Sequence, residues 1–179
     1  MINLLTKGFI LLAFMVSGIQ LAVADSGGEG PTLHVNYPKD AYSTKWTLSM
    51  NTSGACAVII NDPDAKVIRL KMDPEFEKGY TELSKKKLFW ELEEFYNAPI
   101  PDNPNLVVSF TYQNIFRSIK IGYMMGVDKR NLKKKDRSDL KFVGDFFGLI
   151  RTQLEKSKQP VLNVVIADLK QLSIEFKDL

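Results

Sequence analysis

From Thr32 onward, apolar and polar positions alternate with a period of two. Leu33, Val35 and Tyr37 fall on one side, His34 and Asn36 on the other, which is the pattern of a half-buried strand. Trp46, Leu48 and Met50 repeat it, the run Ala55-Cys56-Ala57-Val58-Ile59-Ile60 is apolar throughout, and Ile68, Leu70 and Met72 share one face of a further segment. The clusters Asn51-Thr52-Ser53-Gly54 and Asn61-Asp62-Pro63-Asp64 between them carry turn chemistry, so the first third of the chain reads as a meander of short antiparallel strands. The period then changes. Leu88, Phe89, Leu92, Phe95 and Tyr96 have helical spacing, with Thr81 or Ser84 as a cap and Pro99 as a stop. The charges of that helix run against its dipole: Lys85, Lys86 and Lys87 stand at the start, Glu91, Glu93 and Glu94 near the end.

Two more strands follow at 106–112 and 117–124, then a polar stretch at 125–138 that reads as a loop. A second helix is expected over 139–156, where Leu140, Val143, Phe146, Phe147, Ile150 and Leu154 form a broad stripe. In it Gly144 and Gly148, one turn apart, allow another element to come close. Pro160 stops this helix. The β-branched run Val161–Ala167 and the alternation of Leu172, Ile174 and Phe176 read as two final strands. The expected class is α+β: an antiparallel sheet of about six to eight strands with two amphipathic helices packed on one face, built by residues 32–179 as a single domain.

The first 24 residues follow a different logic. Lys7 gives a short positive region, Gly8 to Ile19 is almost wholly apolar, and Ala22-Val23-Ala24 is a small-x-small site. That is the layout of a secretory signal peptide cleaved after Ala24, and the apolar core is shorter than the roughly 20 residues a membrane-spanning helix needs. Residues 25–31, polar and carrying three glycines, read as a flexible leader. No later apolar run is long enough to span, so no transmembrane span is expected after cleavage. Loss of Lys7 takes the formal charge from +3 to 3 − 1 = +2, a near balance that gives no global attraction to nucleic acid.

Composition narrows the chemistry. The chain of 179 residues is 45% hydrophobic and 25% charged, the profile of a globular protein rather than a collagen or a disordered chain. One Cys and one His exclude an intrachain disulfide and any zinc site built from several such ligands, and no cofactor motif is present. A Cys56–His34 dyad on neighbouring strands is the sharpest catalytic arrangement the residues allow, but burial of Cys56 in its apolar run is the better expectation. Asp62, Asp64, Asp102, Glu91, Glu93 and Glu94 are the carboxylates a hydrolase would have to use; they sit in turns and on a lysine-balanced helix, which is solvated placement. Asn51-Thr52-Ser53 matches a glycosylation sequon.

Two surface features remain. Lys129, Arg130, Lys133, Lys134, Lys135 and Arg137 fall within nine residues, an anion-facing patch for an acidic protein or an anionic envelope component. Trp90 lies off the stripe of its helix and is a candidate interface anchor. Together with export and the missing catalytic set, these point to a periplasmic or secreted non-enzymatic binding protein that engages a protein partner as inhibitor, immunity factor or accessory component. The competing expectations are a small-ligand or envelope-polymer binder using an open sheet face, with Trp46, Tyr112, Phe116 and Tyr123 as stacking surfaces, and a carboxylate-dependent hydrolase. The intact mass of the exported protein is expected to correspond to a chain beginning at Asp25; a mass retaining residues 1–24 would remove the cleavage site assigned here.

Overall fold

The computed structural model describes residues 32–40, 43–51, 55–61, 65–86, 91–96, 105–112, 115–122 and 132–179. Strands β1 (Thr32–Pro38), β2 (Thr44–Met50), β3 (Ala55–Ile60) and β4 (Lys66–Lys71) form the expected meander. They are followed by α1 (Pro74–Lys86), the two-residue β5 (Phe95–Tyr96), β6 (Asn105–Tyr112), β7 (Ile115–Gly122), α2 (Lys134–Lys156), a 3-10 turn (Pro160–Leu162) and α3 (Asn163–Lys177). The sheet order is β4-β3-β2-β1-β6-β7-β5. Six strands are antiparallel to their neighbours, and β5 adds in parallel to β7 at the far edge. The protein is therefore α+β, with three helices where the sequence pattern gives two.

Register turns the alternation of each strand into continuous rows. Leu33 pairs with Met50 and Phe110, and Val35 pairs with Leu48 and Val108. Leu48 pairs with Val58, and Val58 with Ile68. These side chains all point to one face and form one core with the buried side chains of the helices. Trp46, fully buried on that face, shows how the helices are held there. Its indole N–H donates to the Asp168 carboxylate of α3 at 2.8 Å, and Lys45 Nζ donates to both oxygens of the same carboxylate at 3.0 and 2.8 Å. The Tyr37 ring stacks on Trp46 with centroids 5.0 Å apart, so the indole is fixed both in plane and from above.

The first helix, Pro74–Lys86, ends before its expected apolar stripe begins at Leu88, and its charges then make sense. Asp73 caps it by accepting the Phe76 N–H at 2.9 Å, Pro74 opens it, and Glu75 and Glu77 occupy its first turn. Lys85 and Lys86 are its last two residues, the end of the dipole that favours cations. Of the stripe used to place it, Leu92 and Tyr96 are buried beyond the helix, Tyr96 within β5; Leu88 and Phe89 lie outside the described residues.

The last two elements are also a correction. Val161–Ala167 and Leu172–Phe176 are not strands but the 3-10 turn and α3. Val165, Leu169, Leu172 and Phe176 are buried at spacings of four, three and four, whereas Ile174, which completes an apparent strand alternation, is exposed. Tertiary packing overrides the β-branched composition here. The turn joining α2 to α3 passes through Lys158 in the left-handed region (φ 52°). The two helices run antiparallel, and α3 makes the close approach expected of Gly144 and Gly148: an added Cβ would stand 2.8 Å from Phe176 Cβ at Gly144 and 3.1 Å from Ser173 Oγ at Gly148.

Helix α2 has 23 residues and is about 34 Å long, close to the ~29 Å that seven strands occupy across a sheet. Its beginning meets the β5 edge, where Asp139 accepts from the Tyr96 hydroxyl at 2.7 Å and Lys135 pairs with Glu93. Its end meets the β4 edge, where Lys156 pairs with Asp73 and Glu75, each at 2.8 Å. Burial pushes the Tyr96 hydroxyl up to about 12, so it remains a donor to Asp139 at any ordinary pH.

Gly144→Ala and Gly148→Ala separate helix propensity from packing. Both gain roughly 0.5–1 kcal/mol of propensity. At Gly144 the obstacle is a Cβ fixed to the α3 backbone, and overpacking of about 1–3 kcal/mol leaves a net loss. At Gly148 a shift of the Ser173 hydroxyl relieves the contact, and stability is expected to stay within about 0.5 kcal/mol of the parent. Urea unfolding midpoints at constant slope measure both.

Candidate functional site on the sheet face opposite the helices

The alternation that places Leu33 and Val35 on the helical side places His34 and Asn36 on the other. Among the described residues no helix lies on that second face. Its central row crosses the sheet as Arg69, Ala57, Ser49, His34, Ser109 and Ser118, each opposite the next in register. The flanking row is Val67, Ile59, Thr47, Asn36, Val107 and Lys120. The middle of the face is thus mostly small or hydroxylated side chains. Its rim carries Val67, Arg69 and Lys71 at one edge and Phe116 and Lys120 at the other, all exposed. No strand residue pointing to this face, among those described, is a carboxylate.

Two hydrogen bonds order the central row. His34 Nδ1 and Ser49 Oγ share one of 2.7 Å, and Ser109 Oγ donates to Ser118 Oγ at 3.2 Å. Desolvation at its half-buried position lowers the His34 pKa below 6.5, so the ring is neutral at pH 7. A neutral imidazole bonded to a serine is half of an activated nucleophile. The other half is missing from this site. Ser49 and His34 lie on interior strands, where backbone N–H groups are engaged in ladders on both sides, leaving none to bind an oxyanion. No carboxylate among the described strand residues on this face orients the ring.

The remaining candidate residues fall elsewhere. Cys56 belongs to the core face, opposite Met50 and Leu70, so the Cys56–His34 dyad does not form; burial pushes its thiol up to about 12. Trp46 is likewise on the core side and offers no stacking surface, whereas Phe116 is 63% exposed. Nothing is described of Tyr123 or of the Tyr112 side chain. Asn51 is buried and its side-chain oxygen accepts the Ala55 N–H at 3.0 Å, which leaves the sequon asparagine no room for a glycan. Asp62, Asp64 and Asp102 lie outside the described residues, and Glu91, Glu93 and Glu94 are exposed. Among the described residues no three His, Cys, Asp or Glu side chains gather as metal ligands, and no helix is long and apolar enough to cross a membrane.

From Lys134 on, the basic segment is helix rather than the expected loop. Trp90, Lys129 and Arg130 lie outside the described residues. Lys133 caps α2, with its backbone N–H donating to Asp136 at 3.2 Å, and Lys134, Lys135 and Arg137 are already helical. Lys135 pairs with Glu93 and holds that carboxyl below the usual range. Arg137 Nε donates to the Leu132 carbonyl at 3.3 Å. An open cleft of about 450 Å³ lies on the helical side, between α1, α2 and α3. Its walls balance Glu82 and Asp145 against Arg151 and Lys177, so it favours neither sign of ligand charge.

The face itself is only partly visible in sequence. Alternation separates His34 and Asn36 from the core, but Ser49, Ser109 and Ser118 join them only through register, which periodicity does not set. The fold and this face define an α+β protein with a one-sided helical layer. Comparison with protein-family models, with curated proteins and with solved structures gives no match.

The depressed pKa of His34 has a thermodynamic sign. Below 6.5 the unfolded chain binds the proton that the native ring resists, so stability falls as pH drops through that value and is constant with respect to this group above it. His34→Gln is expected to remove this part of the slope; urea titrations between pH 5 and pH 8 compare the two.

Proposed function

We propose that the protein is an exported, non-enzymatic binding protein that engages an acidic protein partner through the sheet face opposite the helices. The observation that carries this reading is the charge of that face: Arg69, Lys71 and Lys120 at its rim, a neutral His34 at its centre, and no carboxylate among its described residues. Such a surface attracts an acidic partner over about a Debye length and discriminates against basic ones. The small side chains of the central row allow a close approach, and Phe116 supplies an exposed aromatic anchor at the rim. The basic segment at the start of α2 is a second attractive region, weakened by the pairing of Lys135 with Glu93. An inhibitor, immunity factor or accessory component would use such a surface. The signal-peptide pattern of residues 1–24 supports a place in the periplasm or outside the cell.

Affinity capture from the native envelope tests the reading with three baits: the parent chain, Arg69→Ser/Lys71→Ser/Lys120→Ser, and Lys133→Ser/Lys134→Ser. A single stoichiometric protein is expected on the parent and on the second variant, released by salt and lost from the first. Retention by the face variant would move the site elsewhere. An anionic polymer in place of a protein would support the envelope-polymer reading, and turnover of a substrate would overturn both.

A further inference from the structure

The two edges of the sheet are not alike. At one end β5 contributes two residues, and the backbone beside it is already used, since the Lys120 N–H donates to the Glu94 carbonyl at 2.8 Å. At the other end β4 pairs with β3 through six consecutive residues, Lys66 to Lys71, in unbroken register. It has no proline and no bulge, two of the devices that spoil an edge for further pairing; the third, charge, it carries with one sign only, which leaves it open to a strand of opposite charge. Every second residue of such an edge turns its N–H and C=O away from the sheet.

The side chains of β4 describe what would fit beside it. On the core side, Ile68 and Leu70 end rows in which Val58 and Cys56 are buried, yet they are themselves only half-buried. On the other side Val67 is 55% exposed. A further strand would complete the burial of all three. Lys66, Arg69 and Lys71 make the edge basic, with no acid among its six residues. A second copy of this chain is therefore a poor occupant: pairing two β4 strands antiparallel about Arg69, the register that sets Ile68 of each copy opposite Leu70 of the other, places the two Arg69 side chains directly opposite each other. An acidic strand with alternating apolar residues meets the same edge with opposite charge and matching apolar rows.

We propose that β4 is a docking edge that takes an extended acidic segment of the partner protein as an added strand. This rests on the binding reading above and gives the partner a conformation: its main chain bonds to the β4 edge, while the rest of it covers the adjoining face that Arg69 and Lys71 share.

The probe is a synthetic hexapeptide alternating Glu and Val, beside its Lys–Val counterpart, each added to the purified full chain and followed by amide hydrogen exchange. The acidic peptide is expected to slow exchange of the outward β4 amides by about tenfold or more, and the basic peptide to leave them unchanged. In Arg69→Glu/Lys71→Glu, two exposed positions whose substitution leaves the core intact, the preference is expected to reverse. Exchange that slows only around Ser49, His34 and Ser118, with β4 unaffected, overturns the edge and leaves the face reading standing. Protection of β4 that rises with protein concentration and no peptide, together with a dimer in sedimentation, overturns the acidic partner in favour of a second copy. No effect of either peptide, together with failure of the envelope capture, overturns both readings.

Discussion

The Asp168 carboxylate ties the helical layer to the buried side of the sheet. A buried indole must find an acceptor for its N–H, and Trp46 finds it on α3. The same carboxylate takes both bonds of Lys45, so one side chain of the helical hairpin satisfies two residues of β2 and ties the third helix to the middle of the sheet. The row that contains Trp46 then faces the helices, as do the rows of Leu48 and Met50 beside it. Because side chains alternate, this places Ser49 and Thr47 on the opposite face without further choice.

That division also decides one of the catalytic arrangements its composition allows. The thiol and the imidazole, each present once, end on opposite faces. The histidine does meet a hydroxyl, but in the middle of a sheet, where backbone donors are engaged and cannot receive developing charge. A regular sheet interior is a good platform and a poor oxyanion site for the same reason. What the face does offer is charge at its rim, where Arg69, Lys71 and Lys120 are exposed, and short side chains at its centre.

Much of the sheet is legible in the sequence because β1, β2, β6 and β7 each bury one face, and a one-residue slip would expose the whole set. The buried Cys56 is legible from the apolar run that holds it. The helices are less so. The stripe from Leu88 to Tyr96 has helical spacing, but Leu92 and Tyr96 serve a crossing segment and a short strand instead. The signals that place α1 correctly, Asp73-Pro74 followed by Glu75 and Glu77, are capping and dipole signals rather than periodic ones. In α3, valines and isoleucines that favour strands are overruled by a close helical contact at Gly144. Of the candidate site, the basic segment is visible as composition but not as a helix start, and of the polar row only His34 is visible before the strands are set side by side.

Helix α2 reaches from one rim of the sheet to the other and is held by ion pairs at both ends. One end is tied to the sheet itself, through Asp139 to Tyr96 of β5, and the other to the start of α1 through Asp73 and Glu75. The serines, threonines and alanines at the middle of the far face have few rotamers to lose, so association there would order little beyond the Arg and Lys side chains of the rim. Recognition on such a surface is favoured less by the strength of each contact than by how small an entropic cost stands against it.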